Sequence, residues 1–175
     1  MVGLRVMKDL DKKAYIAEEA FMVLHSGEIP EIVLHSSLYY LTEDPDGPGL
    51  ELNADEILPL KQGVVKRYQE IILRDLEPKN RDKGIYRGLA RCVVNWQRLL
   101  RFCSRESLDF TAARTETAAA LQRFLQQEMA DVQSKKRSSS INCSQAEIEK
   151  LADSLGLSMD DLPEGWKGLC SEEET

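Results

Sequence analysis

The sequence predicts an all-α protein. Three long helices form an antiparallel bundle, preceded by a short N-terminal helical pair and followed by a small C-terminal helical hairpin. Three observations carry this reading. Apolar residues recur at three- and four-residue steps through 53–134, the period of a helix with one buried face. Stop and start signals bracket the runs: Asn53 or Asp55 opens the first and Pro78 ends it, and Ser144 with Glu147 opens a further helix that Gly156 ends. Aromatics are 6% of the chain while hydrophobic residues are 42%, which suits helices packed through Leu, Ile, Val and Ala.

Residues 1–10 are too short to assign and fit either an arm or an edge strand. Asp11 can cap a helix that runs to about His25, with Tyr15, Ala17, Ala20, Phe21 and Leu24 as buried candidates and Gly27 as its stop. Pro30 suits a first turn, so Glu31 to Leu41 reads as a second helix, well buried through Ile32, Val33, Leu34, Leu38 and Leu41. Tyr39 and Tyr40 favour sheets and keep a strand open as the competing assignment there. Thr42 to Gly49 holds two prolines, two glycines and three acids, and must be a loop.

From Asn53 or Asp55 the periodicity is clear. Ile57, Leu60, Val64, Tyr68, Ile71 and Ile72 line one face to about Leu76, with Pro59 placed in the first turn and Pro78 as the stop. A further helix spans about Asp82 to Ser104. Another spans about Thr111 to Ser134, with Ala118, Leu121, Leu125, Met129 and Val132 on one stripe. Short connections between three such helices make an antiparallel bundle, with Trp96 expected among Leu60, Val64, Leu100, Leu121 and Leu125.

Ser134 to Ser140 has no apolar residue and is rich in serine, which reads as a flexible linker. Ser144 and Glu147 then form a capping box opening a helix to about Leu155, ended by Gly156. One more turn begins at Ser158 and Met159, and Ile148, Leu151, Leu155, Leu162 and Trp166 give this hairpin a docking face. The expected organisation is a bundle domain over 1–134 (an N-terminal pair and acidic loop over 1–52, a three-helix core over 53–134), a linker over 135–143, a hairpin over 144–170 and a disordered acidic tail over 171–175. The tripeptide Leu-His-Ser occurs at Leu24 and at Leu34, which is not a repeat architecture.

No apolar run approaches the roughly 20 residues of a membrane span, and residues 1–11 lack the pattern of a signal peptide. A cytoplasmic location without membrane association is expected. Cys92, Cys103, Cys143 and Cys170 form no C-x-x-C pair. Cys92 and Cys103, eleven residues apart on one helix, stand about 16 Å apart and cannot be bridged while it is intact.

One feature rises above the background. Along the helix from Asp82, the side chains of Lys83, Arg87, Arg91, Arg98, Arg101 and Arg105 fall within an arc of about 80°. Val94 shares that arc, while Ile85, Leu89, Cys92, Val93, Trp96, Leu100 and Cys103 lie opposite. Lys79 to Arg105 holds eight cations against one acid, in a chain whose net charge is −7. Guanidinium groups bind carboxylates and phosphates in pairs of hydrogen bonds, so the stripe is a candidate strip for anions or acidic partners. The competing reading pairs it with acids of its own chain: Asp55, Glu56, Glu70, Asp75 and Glu77 before it, Glu116 and Glu128 after it.

Other chemistry has little support. Leu151, Ala152, Leu155, Gly156 and Leu157 fit a helix-turn-helix, but its second helix would be acidic and broken by Pro163 and Gly165, wrong for phosphate. His25 and His35 form no metal-ligand spacing; Glu31 and His35 can share a helix face, which is more often a hydrogen-bonded pair. Asp44-x-Asp46-Gly47 matches the start of a calcium loop but lacks its spacing and closing glutamate. No nucleophile elbow or phosphate loop is present. Arg101 and Arg105 could lower the Cys103 thiol, but its helical phase points to the core.

The functional expectation is therefore a non-enzymatic helical interaction or regulatory protein, binding an acidic protein partner or its own second copy through the arginine-rich face. Neither catalytic residues nor cofactor or metal sites are assigned. Nucleic acid held by the same stripe is the alternative, disfavoured by the net charge. A small-molecule site where Tyr39, Tyr40, His25 and His35 converge has no motif behind it.

Overall fold

A computed structural model describes residues 9–78, 88–134, 141 and 143–170. Helices are the regular secondary structure of the described residues, with no strand among them. They form α1 (Asp9–His25), α2 (Pro30–Thr42), α3 (Ala54–Asp75), α4 (Gly88–Glu106), α5 (Thr111–Gln133) and α6 (Gln145–Ser154), followed by 3-10 turns at Met159–Asp161 and Trp166–Leu169. The all-α expectation holds, and residues 31–41 are helix, not strand. The N-terminal arm before Asp9, the expected helix start at Asp82, linker residues 135–140 and 142, and the tail 171–175 lie outside the described residues.

Packing divides the chain into two units, Met1–Tyr68 and Gln69–Thr175. The boundary falls inside α3, not in the serine-rich stretch after α5.

In the first unit α1 begins at Asp9, so Asp11 sits inside the helix and does not cap it. Its buried residues are Ile16 and Val23, whereas Phe21 is 54% exposed. Expected core positions Tyr15, Ala20 and Leu24 are half-buried and Ala17 is exposed. Apolar residues are spread around this helix and define no single stripe, so its buried face differs from the expected one. α2 packs on α1 and buries Val33, Leu34, Ser37 and Leu41. Ile32, expected in the core, is 52% exposed.

Pro30 opens α2 without a side-chain cap from Ile29, as its fixed φ permits at a first turn. The loop that follows is tied back by the Leu50 N–H donating to the Leu41 carbonyl at 2.8 Å. It passes so close to α2 that a Cβ on Gly47 would lie 1.9 Å from the Tyr40 carbonyl oxygen. Asn53 and Glu56 cap α3 reciprocally, and Lys12 pairs with Glu56 at 2.6 Å. Pro59 is the sixth residue of α3, one turn later than expected, where it removes a helical hydrogen bond. Gly63 lets α3 approach α1, since a Cβ there would meet the Ala20 carbonyl oxygen at 3.3 Å. Tyr68 is buried, and its hydroxyl donates to the Glu31 carboxylate.

The second unit buries Ile71, Ile72 and Leu76 of the α3 end, Leu89, Cys92, Trp96, Leu99, Phe102 and Cys103 of α4, and Leu121, Phe124 and Leu125 of α5. Val93 and Leu100, expected to face the core, are only half-buried, and the buried face of α4 is centred nearer Leu99. The reversal between α4 and α5 takes a positive φ of 54° at Ser107. Asp109 then accepts from both the Thr111 N–H and hydroxyl.

Residues 144–170 belong to this unit. The capping box of Ser144 and Glu147 opens α6 as expected. A left-handed Gly156 (φ 76°) closes it, with the Leu157 N–H returning to the Ala152 carbonyl. Ile148, Leu151, Leu155, Leu162 and Trp166 are all buried, and the second 3-10 turn packs on α5. The Trp96 indole donates to the Ser154 hydroxyl at 2.9 Å, the Gln122 amide donates to the Asp161 carbonyl at 3.1 Å, and the Ile141 N–H donates to the Leu169 carbonyl at 3.0 Å. At the expected linker, Ile141 and Cys143 are buried.

Candidate functional site

The stripe that stood out in the sequence divides into parts with different surroundings. Lys83 and Arg87 lie outside the described residues. Arg91 is a structural residue: its Nε stands 3.3 Å from Oδ2 of Asp75, a carboxylate only 4% exposed. That Oδ2 takes no hydrogen bond, so the contact is an ion pair without good donor alignment. Burial pushes the Asp75 carboxyl above its ordinary range, against the pull of Arg91 and Arg74. Arg91 therefore offsets a desolvated charge and is not free to hold another anion.

Further along α4 the surroundings change. Val94 is 46% exposed, Arg98 is partly exposed, and Arg101 and Arg105 are exposed. Neither Arg98 nor Arg101 has an ion pair or hydrogen bond from its side chain among the described residues. Among the described residues Arg105 pairs with its neighbour, Glu106, at 3.5 Å, and lies over the Phe102 ring with 5.8 Å to its centroid. An exposed pair between adjacent residues contributes little, so Arg105 can exchange Glu106 for another carboxylate. Val94, Arg98, Arg101 and Arg105 share one helix face because their spacing, i, i+4, i+7 and i+11, tracks the 3.6-residue turn. The opposite face anchors α4 through Trp96, Leu99 and Phe102.

The other candidate residues are not assembled into a site. His25 stacks on Phe21 with ring centroids 3.8 Å apart, and its Nδ1 stands 2.9 Å from the Phe21 carbonyl oxygen, to which it donates when protonated there. His35 and Tyr39 are exposed and Tyr40 is half-buried, while Glu31 is engaged by Tyr68 and not by His35. Among the described residues no group of three His, Cys, Asp or Glu side chains could hold a metal ion. Asp44 uses its Oδ1 to accept the Asp46 N–H within the turn. Burial raises the Cys92, Cys103 and Cys143 thiols. For Cys103, Asp109 adds to that rise, and Arg101 and Arg105 do not reverse it. All four thiols are free.

Two features escaped the sequence reading. One is the burial of Asp75, whose exposed-looking position at the end of α3 gave no signal. The other is the solvent-facing apolar stripe of α2, where Ile32 is 52% and Tyr39 49% exposed. The exposed positions Ile32, Ser36, Tyr39 and Glu43 recur at helical spacing, but a run this rich in apolar residues does not mark which face is covered.

A family described as a repeat of unknown function, DUF7826, matches residues 11–157. The chain belongs to this family. The match runs from Asp11 in α1 through α6 and ends before both 3-10 turns. No curated protein and no solved structure matches the chain. Among the described residues no helix is long and apolar enough to cross a membrane.

Proposed function

We propose that this DUF7826 member is a helical interaction module that takes an acidic protein surface on the exposed face of α4. One observation carries the reading: Arg98 and Arg101 stand beside an exposed Val94 with no counter-charge among the described residues. Val94 supplies apolar contact, and the guanidinium groups supply paired hydrogen bonds to carboxylates. The rigid side of the helix, locked by Trp96, Leu99 and Phe102, holds the stripe in one orientation. Arg91 is excluded from the binding set because Asp75 already engages it.

The test is retention on immobilised poly-L-glutamate and, in parallel, on a short DNA duplex. The wild-type chain should be retained by poly-glutamate at low salt. It should be released as salt approaches about 1 M, where the Debye length shrinks to about 3 Å. Replacing Arg98, Arg101 and Arg105 together by Gln should abolish retention with little change in thermal midpoint, since Gln has similar helix propensity. Retention unchanged in the triple variant would reject the assignment. Stronger retention on DNA would replace the acidic protein with a nucleic acid.

A further inference from the structure

A surface complementary to the α4 face lies on the same sequence, apolar at one end, aromatic further along and acidic at the other end. Between Glu28 and Leu60 there are eight acids and no Lys or Arg. The stretch includes α2, whose exposed residues Ile32, Ser36 and Tyr39 form a stripe that its C-cap residue Glu43, also exposed, continues. The α4 stripe is Val94, Arg98, Arg101 and Arg105. Both sets have the spacing i, i+4, i+7 and i+11, and each spans about 16 Å along its axis. Aligned in parallel, Val94 meets Ile32, Arg98 meets the small Ser36, Arg101 lies on Tyr39 and Arg105 meets Glu43. Apolar faces apolar, a guanidinium faces an aromatic ring it can stack on, and cation faces anion. The antiparallel alignment sets Val94 against Glu43 and Arg105 against Ile32, and wastes both ends.

We propose that the α4 face of one copy docks on the α2 face of a second copy, so that the acidic partner is another unit of the same fold. The proposal rests on the α4 reading above and names its occupant. Two things commit it to a second copy: in one register Val94, Arg101 and Arg105 meet an apolar side chain, an aromatic ring and a carboxylate, and the chain belongs to a family described as a repeat. The two surfaces are different, so the contact is head to tail and propagates from copy to copy unless the geometry closes a ring. Two short helix faces make an interface below the standard size, and the association is weak and salt-sensitive.

Sedimentation velocity of the full chain tests this. At low salt, raising the concentration toward about 1 mM should increase the average mass above that of the monomer, and high salt should reverse the increase. Two variants block one face each: Arg98→Glu with Arg101→Glu and Arg105→Glu, and Ile32→Lys with Glu43→Lys. Each alone should be monomeric, because it keeps only one competent face. Mixed in equal amounts, they should form a two-chain complex that grows no further. Far-ultraviolet circular dichroism establishes that both variants fold, as expected for exposed or partly exposed positions. A wild type that stays monomeric, variants that assemble as the wild type does, or a mixture that fails to pair would each overturn the proposal. If the monomeric wild type is still retained by poly-glutamate, self-association is wrong while the acidic-partner reading stands. If it is not retained, both fall.

Discussion

Asp75 is the residue whose chemistry departs furthest from its place in the sequence. Its carboxylate is buried, paired imperfectly with Arg91, and raised above the ordinary carboxylate range chiefly by desolvation. A raised acid takes up its proton in the folded state at a pH where the unfolded chain is still ionised. Its contribution to stability is therefore fully present below the unfolded value and is lost as pH rises through the folded one. Asp75→Asn keeps the shape and removes the titration. The stability of the wild type relative to this variant should grow as pH falls from 7 toward 4, measured by urea unfolding at each pH. Using the variant as reference cancels the acid response of the other carboxylates. At pH 7 the variant loses the attraction to Arg91 but also the cost of a buried charge. Its penalty should stay below the about 3–5 kcal/mol typical of removing one partner from a buried pair. A difference that does not vary with pH would show that Asp75 is well solvated. The sequence offers Asp75 as one of seven acids able to pair with the stripe, and the fold selects it for Arg91, a choice that depends on how two helix ends meet.

At the scale of elements, legibility followed the segregation of apolar residues. In α4 the cations and the large apolar side chains occupy different faces, so Leu89, Cys92, Trp96 and Cys103 were placed correctly in the core. In α1 and α2 the apolar residues are spread around the helix, and Phe21 and Ile32 were placed inside when the fold leaves them outside. Caps were legible where a side chain does the work. Ser144 accepts the Glu147 N–H and Glu147 accepts the Ser144 N–H, as the S-x-x-E pattern requires. Ser144→Ala removes one arm of that box and should cost about 1 kcal/mol of unfolding free energy. Ser144→Asp, which caps equally well, should restore it. An alanine variant as stable as the wild type would mean that packing alone fixes the start of α6. The helix start at Asp11 failed for the opposite reason: a residue able to cap is not obliged to do so, and α1 extends past it.

For the whole molecule, the sequence delivered the helical class and most helix ends, but not the division of the chain. A serine-rich stretch looks like a boundary because nothing in it can be buried, yet the residues beyond it carry much of the second unit's core. Ile148, Leu151, Ala152, Leu155, Leu162, Trp166 and Leu169 are buried there, and Ser154 accepts the hydrogen bond of the fully buried Trp96 indole. Composition reports what a linker can be, whereas a domain boundary depends on which apolar faces cover each other. Removing residues 135–175 would therefore strip α4 and α5 of their cover and not release a spare appendage. Each large side chain so uncovered forfeits about 1.5–3 kcal/mol, and several together exceed the 5–15 kcal/mol that holds a domain folded. The truncated chain 1–134 should show a lost or broadened thermal transition. Trp96, its only remaining tryptophan, should move to longer-wavelength emission and become open to iodide quenching. A subtler variant separates the loss of cover from truncation itself. In the full chain, Trp166→Ala leaves every helix in place and should cost about 3–5 kcal/mol, the range for a large buried aromatic. A truncated chain that melts as the wild type does, with Trp96 still shielded, would show that residues 9–134 form a complete core by themselves.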